Sequence, residues 1–199
     1  MNTLLSLLTH RSLLVRAVIG LIIGTVIFFG VWAASLASLS EGFFLVLPRP
    51  SIINCEQSIS QTLRAFFWNL ALTGGLTAFA SLFAVNRLPL GYLVPWTVFA
   101  IYGGLLGTNS FNCPNPDGPL SISFSVLWSR AGFRETASYF LIAAVLANQS
   151  LWRQTSFFSL KIERVRSWRE FRLSSEMIFG LCTAIFLLAW SAIIEMMPK

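Results

Sequence analysis

Few side chains in this sequence could do chemistry, and three of them lie where apolar segments begin or end. Asn69 follows the start of one uncharged run, Asn109 lies near the end of another, and Glu135 precedes a third. A carboxylate at membrane depth is costly and needs a partner or a water-filled cavity. Glu135 is therefore the centre of a candidate polar cluster with the two asparagines and three arginines able to neutralise it, Arg64, Arg130 and Arg134.

The residue types in the sequence also argue against an enzyme. The chain has one histidine and three cysteines, too few ligands for a structural zinc site or a haem pair. The sequence shows no nucleophile with a histidine base, no phosphate-binding glycine loop and no carboxylate pair in one segment. We expect a non-catalytic protein without metal or cofactor.

The composition predicts one integral membrane domain over residues 1–199. Of 199 residues, 55% are hydrophobic and only 11% are charged, and the mean hydropathy is +0.71, values typical of membrane proteins. The net charge of +6 arises from basic residues beside apolar segments. Anionic lipid is therefore a better expected partner than nucleic acid.

The apolar segments predict an all-α bundle of about five transmembrane helices, because about 20 apolar residues cross a hydrocarbon core. The fourth segment is uncharged only from Thr136 to Trp152, so its helix should begin earlier and draw Glu135 into the membrane edge. Pro95 predicts a kink in the third helix, and Asn86 to Pro89 predict a tight turn before it. The predicted spans are 17–40, 65–86, 89–111, 131–152 and 177–194.

Residues 155–175 predict a basic amphipathic helix that lies on the membrane surface. Apolar residues recur there at spacings of three and four, which is typical of an interfacial helix, although docking on a partner protein is the alternative. Its lipid-facing basic residues are Lys161, Arg164, Arg166, Arg169 and Arg172. For residues 1–16, a short surface helix and a basic leader both stay open.

When successive loops are assigned to opposite sides of the membrane, nine basic residues lie on one side and five on the other. The positive-inside rule makes the first side cytoplasmic, so the N-terminus is expected inside and the C-terminus outside a bacterial-type inner or internal membrane. Cys55 and Cys113 both fall in outer loops, where a disulfide between them can persist. Asn69, Asn109 and Glu135 all lie near the outer ends of their helices, which predicts one outward-facing cluster.

Small residues allow membrane helices to approach closely. The glycines predicted to serve helix packing are Gly74, Gly75, Gly103, Gly104, Gly107 and Gly132.

Residues 60–152 resemble the membrane core of the stage II sporulation protein M family. The resemblance rests on the sequence from Phe66 to Ala71, the glycine pair after it, Gly103 to Gly107, and Gly132 to Ala137. It implies that Asn69, Gly132 and Glu135 occupy signature positions, with Ala131 where the family has a histidine. The family's named member holds cell-wall-remodelling partners in a membrane complex, so the resemblance implies a scaffold.

The leading hypothesis is therefore a scaffold or accessory subunit of a larger membrane complex, with other membrane proteins as partners. A small transporter or permease subunit with a Glu135-centred site is the alternative. An accessory subunit of a photosynthetic or respiratory complex is a further alternative, suggested by the 18 Phe and 7 Trp residues. Homo-oligomerisation stays open in each case.

Overall fold

The fold is mostly helical with one small sheet. The computed structural model describes residues 6–46, 59–110, 132–155 and 161–196. Helix α1 is Leu13–Ser38, α2 is Ile59–Trp68, α3 is Gly75–Ser81, α4 is Leu93–Gly107, α5 is Phe133–Leu146 and α6 is Ser175–Met196. Short 3-10 segments lie at Phe43–Val46, Leu90–Tyr92 and Trp168–Glu170.

Helices α2 and α3 form one continuous rod joined by a π-helical segment, Asn69–Gly74. In a π-helix the backbone bonds run from residue i to i+5, so each turn holds an extra residue and the side chains after it change face. Such segments concentrate at functional sites. The irregular stretch begins at Asn69, the asparagine that the sequence assigns to the polar cluster.

Helices α1 and α4 pack closely through glycines. A Cβ on Gly103 would lie 2.5 Å from the carbonyl oxygen of Phe28, and one on Gly107 would lie 2.6 Å from that of Trp32. Both glycines therefore serve the predicted packing role, since any side chain would push the two backbones apart. Their spacing of four residues keeps them on one face of α4.

Three helical segments are long and apolar enough to cross a membrane, namely Leu13–Ser38, Leu90–Gly107 and Ser175–Ile194. The predicted bundle of five spans is therefore not borne out as such. Each of the other two predicted spans contains a helix, but the α2–α3 rod is interrupted by its π segment and carries Arg64 and Asn69. Helix α5 has only 14 residues, roughly 21 Å at 1.5 Å per residue.

Helix α5 is an internal helix. Eleven of its 14 residues are buried, among them the polar Thr136 and Ser138. The core surrounds it with side chains of α1, α4 and α6. A helix enclosed by protein in this way needs no length matched to the bilayer, because its neighbours face the lipid in its place.

A four-stranded sheet joins the ends of these helices and was not anticipated. Its strands are β1, Phe83–Val85; β2, Leu88–Pro89; β3, Trp152–Gln154; and β4, Ile162–Arg164, in the order β2-β1-β3-β4. Strands β1 and β2 form a hairpin whose predicted turn contains Asn86 at φ 55°. Strands β1 and β3 pair in parallel, so the rod and α5, which precede them, point the same way.

The predicted surface helix over 155–175 is wrong for the described residues 161–174. Ile162–Arg164 pairs antiparallel with β3 instead, and a single 3-10 turn follows at Trp168–Glu170. The physical reason is competition: β3 offers an unpaired edge, and the Ser167–Glu170 capping box starts a new turn there. A helical spacing of apolar residues did not outweigh those local partners.

The predicted kink at Pro95 is also absent. Pro95 lies in the first turn of α4, directly after the 3-10 segment Leu90–Tyr92. At a helix start the missing proline N–H is tolerated, and the fixed φ suits the helix. Pro95 therefore helps to begin α4.

Candidate functional site: a buried carboxylate between three helices

Glu135 is held in the first turn of α5 by the glycine that precedes the helix. Gly132 is the N-cap residue and has φ 60°, the left-handed region that favours glycine. A Cβ there would also lie 2.6 Å from the ring of Tyr102. Helix α5 thus begins at a point where only glycine fits, and a carboxylate in its first turn complements the positive end of the helix dipole.

Asn69 supplies the first partner of this carboxylate. Its side-chain Nδ2 donates to Glu135 Oε1 at 3.0 Å. The bond joins the first residue of the π segment to the first turn of α5. The structure therefore brings together two residues of the predicted polar cluster.

Tyr102 supplies the second partner. Its hydroxyl group donates to Glu135 Oε2 at 3.3 Å from helix α4. Each carboxylate oxygen thus accepts a bond from a different helix, while Glu135 itself is only 8% exposed. Hydrogen bonds of this kind offset the desolvation of a buried carboxylate. Tyr102 was not predicted as a site residue, although a hydroxyl inside an apolar helix indicates a need for a hydrogen-bond partner.

The predicted arginines occupy different surroundings. Arg134 is 4% exposed and neighbours Glu135 in the first turn of α5. Arg64 is exposed on α2. Arg130 lies outside the described residues. Of the three candidates, Arg134 is the one that the described part of the chain shows buried in the same helical turn as Glu135.

Asn109 belongs to a second set of contacts. Its Nδ2 donates to Glu41 Oε1 at 2.7 Å, beyond the end of α1. Asn109 has φ 48° and is 2% exposed, so the turn that ends α4 is tightly enclosed. A carboxylate three residues after α1 could have suggested this pairing, but depth alone pointed to Glu135.

Backbone contacts complete this second set. The amide of Gly42 donates to the carbonyl of Thr108, and that of Phe44 donates to Ser110 Oγ at 3.1 Å. Glu41 to Phe44 and Thr108 to Ser110 thus form a clasp between the ends of α1 and α4. The clasp prolongs the close packing of those helices through Gly103 and Gly107.

The remaining predicted packing glycines divide into two kinds. A Cβ on Gly104 would lie 3.3 Å from the Phe44 ring, and one on Gly74 would lie 3.6 Å from Ile142, so both face other elements. Gly75 is exposed, and a Cβ there would meet nothing within 4 Å. Gly75 therefore does not serve helix packing within the described part of the chain.

The basic residues gather at the other end of α5, called here the sheet end because the four strands lie there. Arg166 donates to the carbonyl of Asn148 at 2.9 Å, where positive charge complements the helix C-terminus. The amide of Leu13 lies 3.4 Å from Glu176 Oε1, which brings the starts of α1 and α6 to this end. The nine residues assigned to one side all lie here: Arg11, Arg16, Arg87, Arg153, Lys161, Arg164, Arg166, Arg169 and Arg172.

The N-terminal residues also belong to the sheet end. Leu8 is 1% exposed within the core. Arg16 donates to the carbonyl of His10 at 2.7 Å, and the hydroxyl of Tyr92 donates to the carbonyl of Arg16 at 3.3 Å. Residues 6–8 are helical, and Leu8 packs into the bundle while Ser6, His10 and Arg11 are exposed.

The cysteines and the side chains able to bind a metal add no described residue to the Glu135 site. Cys55 and Cys113, the predicted disulfide partners, lie outside the described residues. Cys182 is a free cysteine exposed on α6. Within the described residues, no group of three or more His, Cys, Asp or Glu side chains could hold a metal ion.

Three spanning-length apolar helices around a buried polar cluster fit a membrane-embedded helical protein. In the comparisons with known proteins, no family model, no curated protein and no solved structure matches the chain. The function must therefore be inferred from the site itself.

Proposed function

We propose that the chain is a non-catalytic membrane protein that acts as a scaffold or accessory subunit of a larger membrane complex. The observation that carries this proposal is the hydrogen bonding of Glu135, whose two oxygens accept from Asn69 and Tyr102. Those bonds use the carboxylate to fix the rod, α4 and α5 against one another. A rigid bundle is what a docking platform requires, and the resemblance to the stage II sporulation protein M family points the same way.

The outer surface of the bundle supports an environment of lipid and other membrane proteins. On the α2–α3 rod, apolar side chains more than half exposed follow one another along the helix. These are Ile59, Leu63, Phe67, Trp68, Leu72, Leu76 and Phe79. A surface of this kind needs a bilayer or a membrane partner to cover it.

The sheet end is the proposed cytoplasmic end. Nine basic residues gather there, and cytoplasmic segments carry the excess of Lys and Arg in membrane proteins. An Asn86→Cys variant in the exposed β1–β2 turn, made in a chain whose three native cysteines are replaced by serine, tests this orientation. A membrane-impermeant maleimide should label it only after the cells are opened; labelling of intact cells would reverse the assignment.

Isolation of the full chain from its own membranes in mild detergent tests the scaffold role. Mass spectrometry of the purified sample should identify a stable membrane-protein partner. Glu135→Gln should recover the same partner, because glutamine keeps an oxygen that accepts from Asn69 or Tyr102. Recovery of the chain alone, as a monomer or homo-oligomer, would overturn the proposal.

A small transporter is the second candidate, and the π segment favours it. Asn69 begins that segment and faces a buried carboxylate, and π segments concentrate at functional sites. In proteoliposomes, solute or proton flux by the wild type that disappears in Glu135→Gln would establish this function. Flux that persists in the variant would remove Glu135 from the pathway.

A further inference from the structure

An aromatic chain runs across the sheet end. Phe79, in α3, lies 5.5 Å from Phe83 between ring centroids, and Phe83 stacks on Trp152 at 5.0 Å. Trp152 contacts Trp168 at 5.8 Å, and Trp168 contacts Phe171 at 6.3 Å. The chain therefore connects an apolar helix face with the 3-10 turn that follows β4.

Two residues of this aromatic chain are exposed. Phe79 is 60% exposed and Trp168 is 54% exposed. Tryptophan is enriched where lipid headgroups meet the hydrocarbon core. Phe79 lies at the end of the apolar face of the α2–α3 rod, and Trp168 lies in the turn that follows β4. The aromatic chain therefore marks a band at the membrane boundary.

Basic side chains surround the same band. Arg164, on β4, is paired in register with Trp152 on β3, so the two side chains lie on the same face of the sheet. Arg169 lies in the same 3-10 turn as Trp168, and Arg172 follows Phe171. Arg164, Arg169 and Arg172 are exposed, whereas Arg153 is paired with Glu163 on the opposite face of the sheet.

The acidic residues of this surface are occupied within it. Glu163 forms an ion pair with Lys161 at 3.6 Å. Glu170 accepts from the amide of Ser167 in the capping box of the 3-10 turn. The residues from 152 to 172 contain six basic and two acidic side chains, so most of the positive charge has no acidic counterpart in the segment.

We infer that this surface, formed by β3, β4 and the Trp168–Glu170 turn, binds the headgroups of anionic phospholipids. Trp168 and Phe171 enter the boundary of the bilayer, and the arginines beside them contact the phosphate groups. The inference needs only that the bundle lies in a membrane and does not depend on a scaffold role. The membrane anchor of this segment is then supported by the sheet and is not the surface helix that the sequence predicts.

The arrangement explains why the anchor is built on a sheet. Strand β3 follows α5, and β1 follows the α2–α3 rod, so the surface is joined directly to two helices of the bundle. Headgroup binding therefore acts on helices that carry Asn69 and Glu135. A flexible basic tail would attract the same lipids but would not be fixed to those helices.

Lipid retention by the intact protein tests the inference. The full chain is reconstituted in mixed phosphatidylcholine and phosphatidylglycerol membranes, and native mass spectrometry counts the lipids that remain bound. The wild type should retain phosphatidylglycerol in preference. In Arg169→Gln with Arg172→Gln, we expect that preference to fall about thirty-fold, which corresponds to about 2 kcal/mol for two basic residues near an anionic surface.

Two matched variants separate charge from structure. Arg169→Lys with Arg172→Lys keeps both charges and should keep the preference, whereas Arg64→Gln removes one exposed charge on α2, away from the sheet end, and should leave it unchanged. A wild type without preference, an unchanged double Gln variant, or an equal loss in the double Lys variant would each overturn the inference.

Discussion

The same two helical elements, the α2–α3 rod and α5, are joined twice and by different means. In the first turn of α5, the link is a side-chain hydrogen bond between Asn69 and Glu135. At the sheet end, the link is the parallel pairing of β1 with β3 through backbone groups. The first link depends on two side chains, whereas the second tolerates most side chains and depends on backbone geometry.

The two links are sensitive to different substitutions. A substitution at Asn69 or Glu135 removes the first link without disturbing the backbone. The second link fails only when a backbone donor is lost or the strand is distorted. Four predictions compare the two links by the free energy of unfolding in detergent micelles.

Ala84→Pro should have the largest effect. Ala84 lies in β1, which pairs with β2 on one side and β3 on the other, and proline in a strand paired on both sides removes a donor and clashes. We expect a loss of about 3 kcal/mol or more. Ala84→Gly, which keeps the amide, should cost about 1 kcal/mol. Equal losses in the two variants would show that the pairing contributes little.

Glu135→Ala should come next. It removes the carboxylate that accepts from Asn69 and Tyr102, and a hydrogen bond to a charged group contributes about 1.5–3 kcal/mol. Glu135→Gln retains an acceptor oxygen and should lose less. Thermal unfolding of both variants measures the difference. If both unfold alike, the carboxylate does not hold the helices together.

A double-mutant cycle between Asn69→Ala and Glu135→Ala should show coupling of about 1–2 kcal/mol, because the two side chains share one hydrogen bond and each substitution removes it. Arg64→Gln combined with Glu135→Ala serves as the control pair, since Arg64 is exposed on the same rod. Its effects should add within about 0.5 kcal/mol. If the effects of the Asn69 and Glu135 substitutions add, the two side chains do not stabilise the fold through a shared bond.

Tyr102→Phe should have the smallest effect, about 1 kcal/mol, since it removes one hydroxyl donor and keeps the ring. The 3.3 Å distance to Glu135 Oε2 is longer than the 3.0 Å bond from Asn69. Tyr102→Phe should therefore destabilise less than Asn69→Ala. The reverse order would make α4, rather than the rod, the main partner of the carboxylate.

Much of the site could be inferred from residue type and depth. Glu135 precedes an apolar run and Asn69 follows the start of another, and a buried carboxylate needs a donor at its own depth. Asn109 met the same criteria and was assigned to the same cluster, yet its amide bonds Glu41. Depth gives the height of a side chain along a helix but not the direction in which it points.

The sequence alone predicts the membrane character, the apolar segments and a polar cluster that contains Asn69 and Glu135, because transfer from water to lipid acts on each segment separately. The fold was needed to show that α5 is enclosed by its neighbours and that residues 162–164 pair with β3 instead of continuing a helix. Strand pairing unites residues far apart in the chain through backbone groups common to nearly all residues. Which segments meet therefore depends on the whole fold.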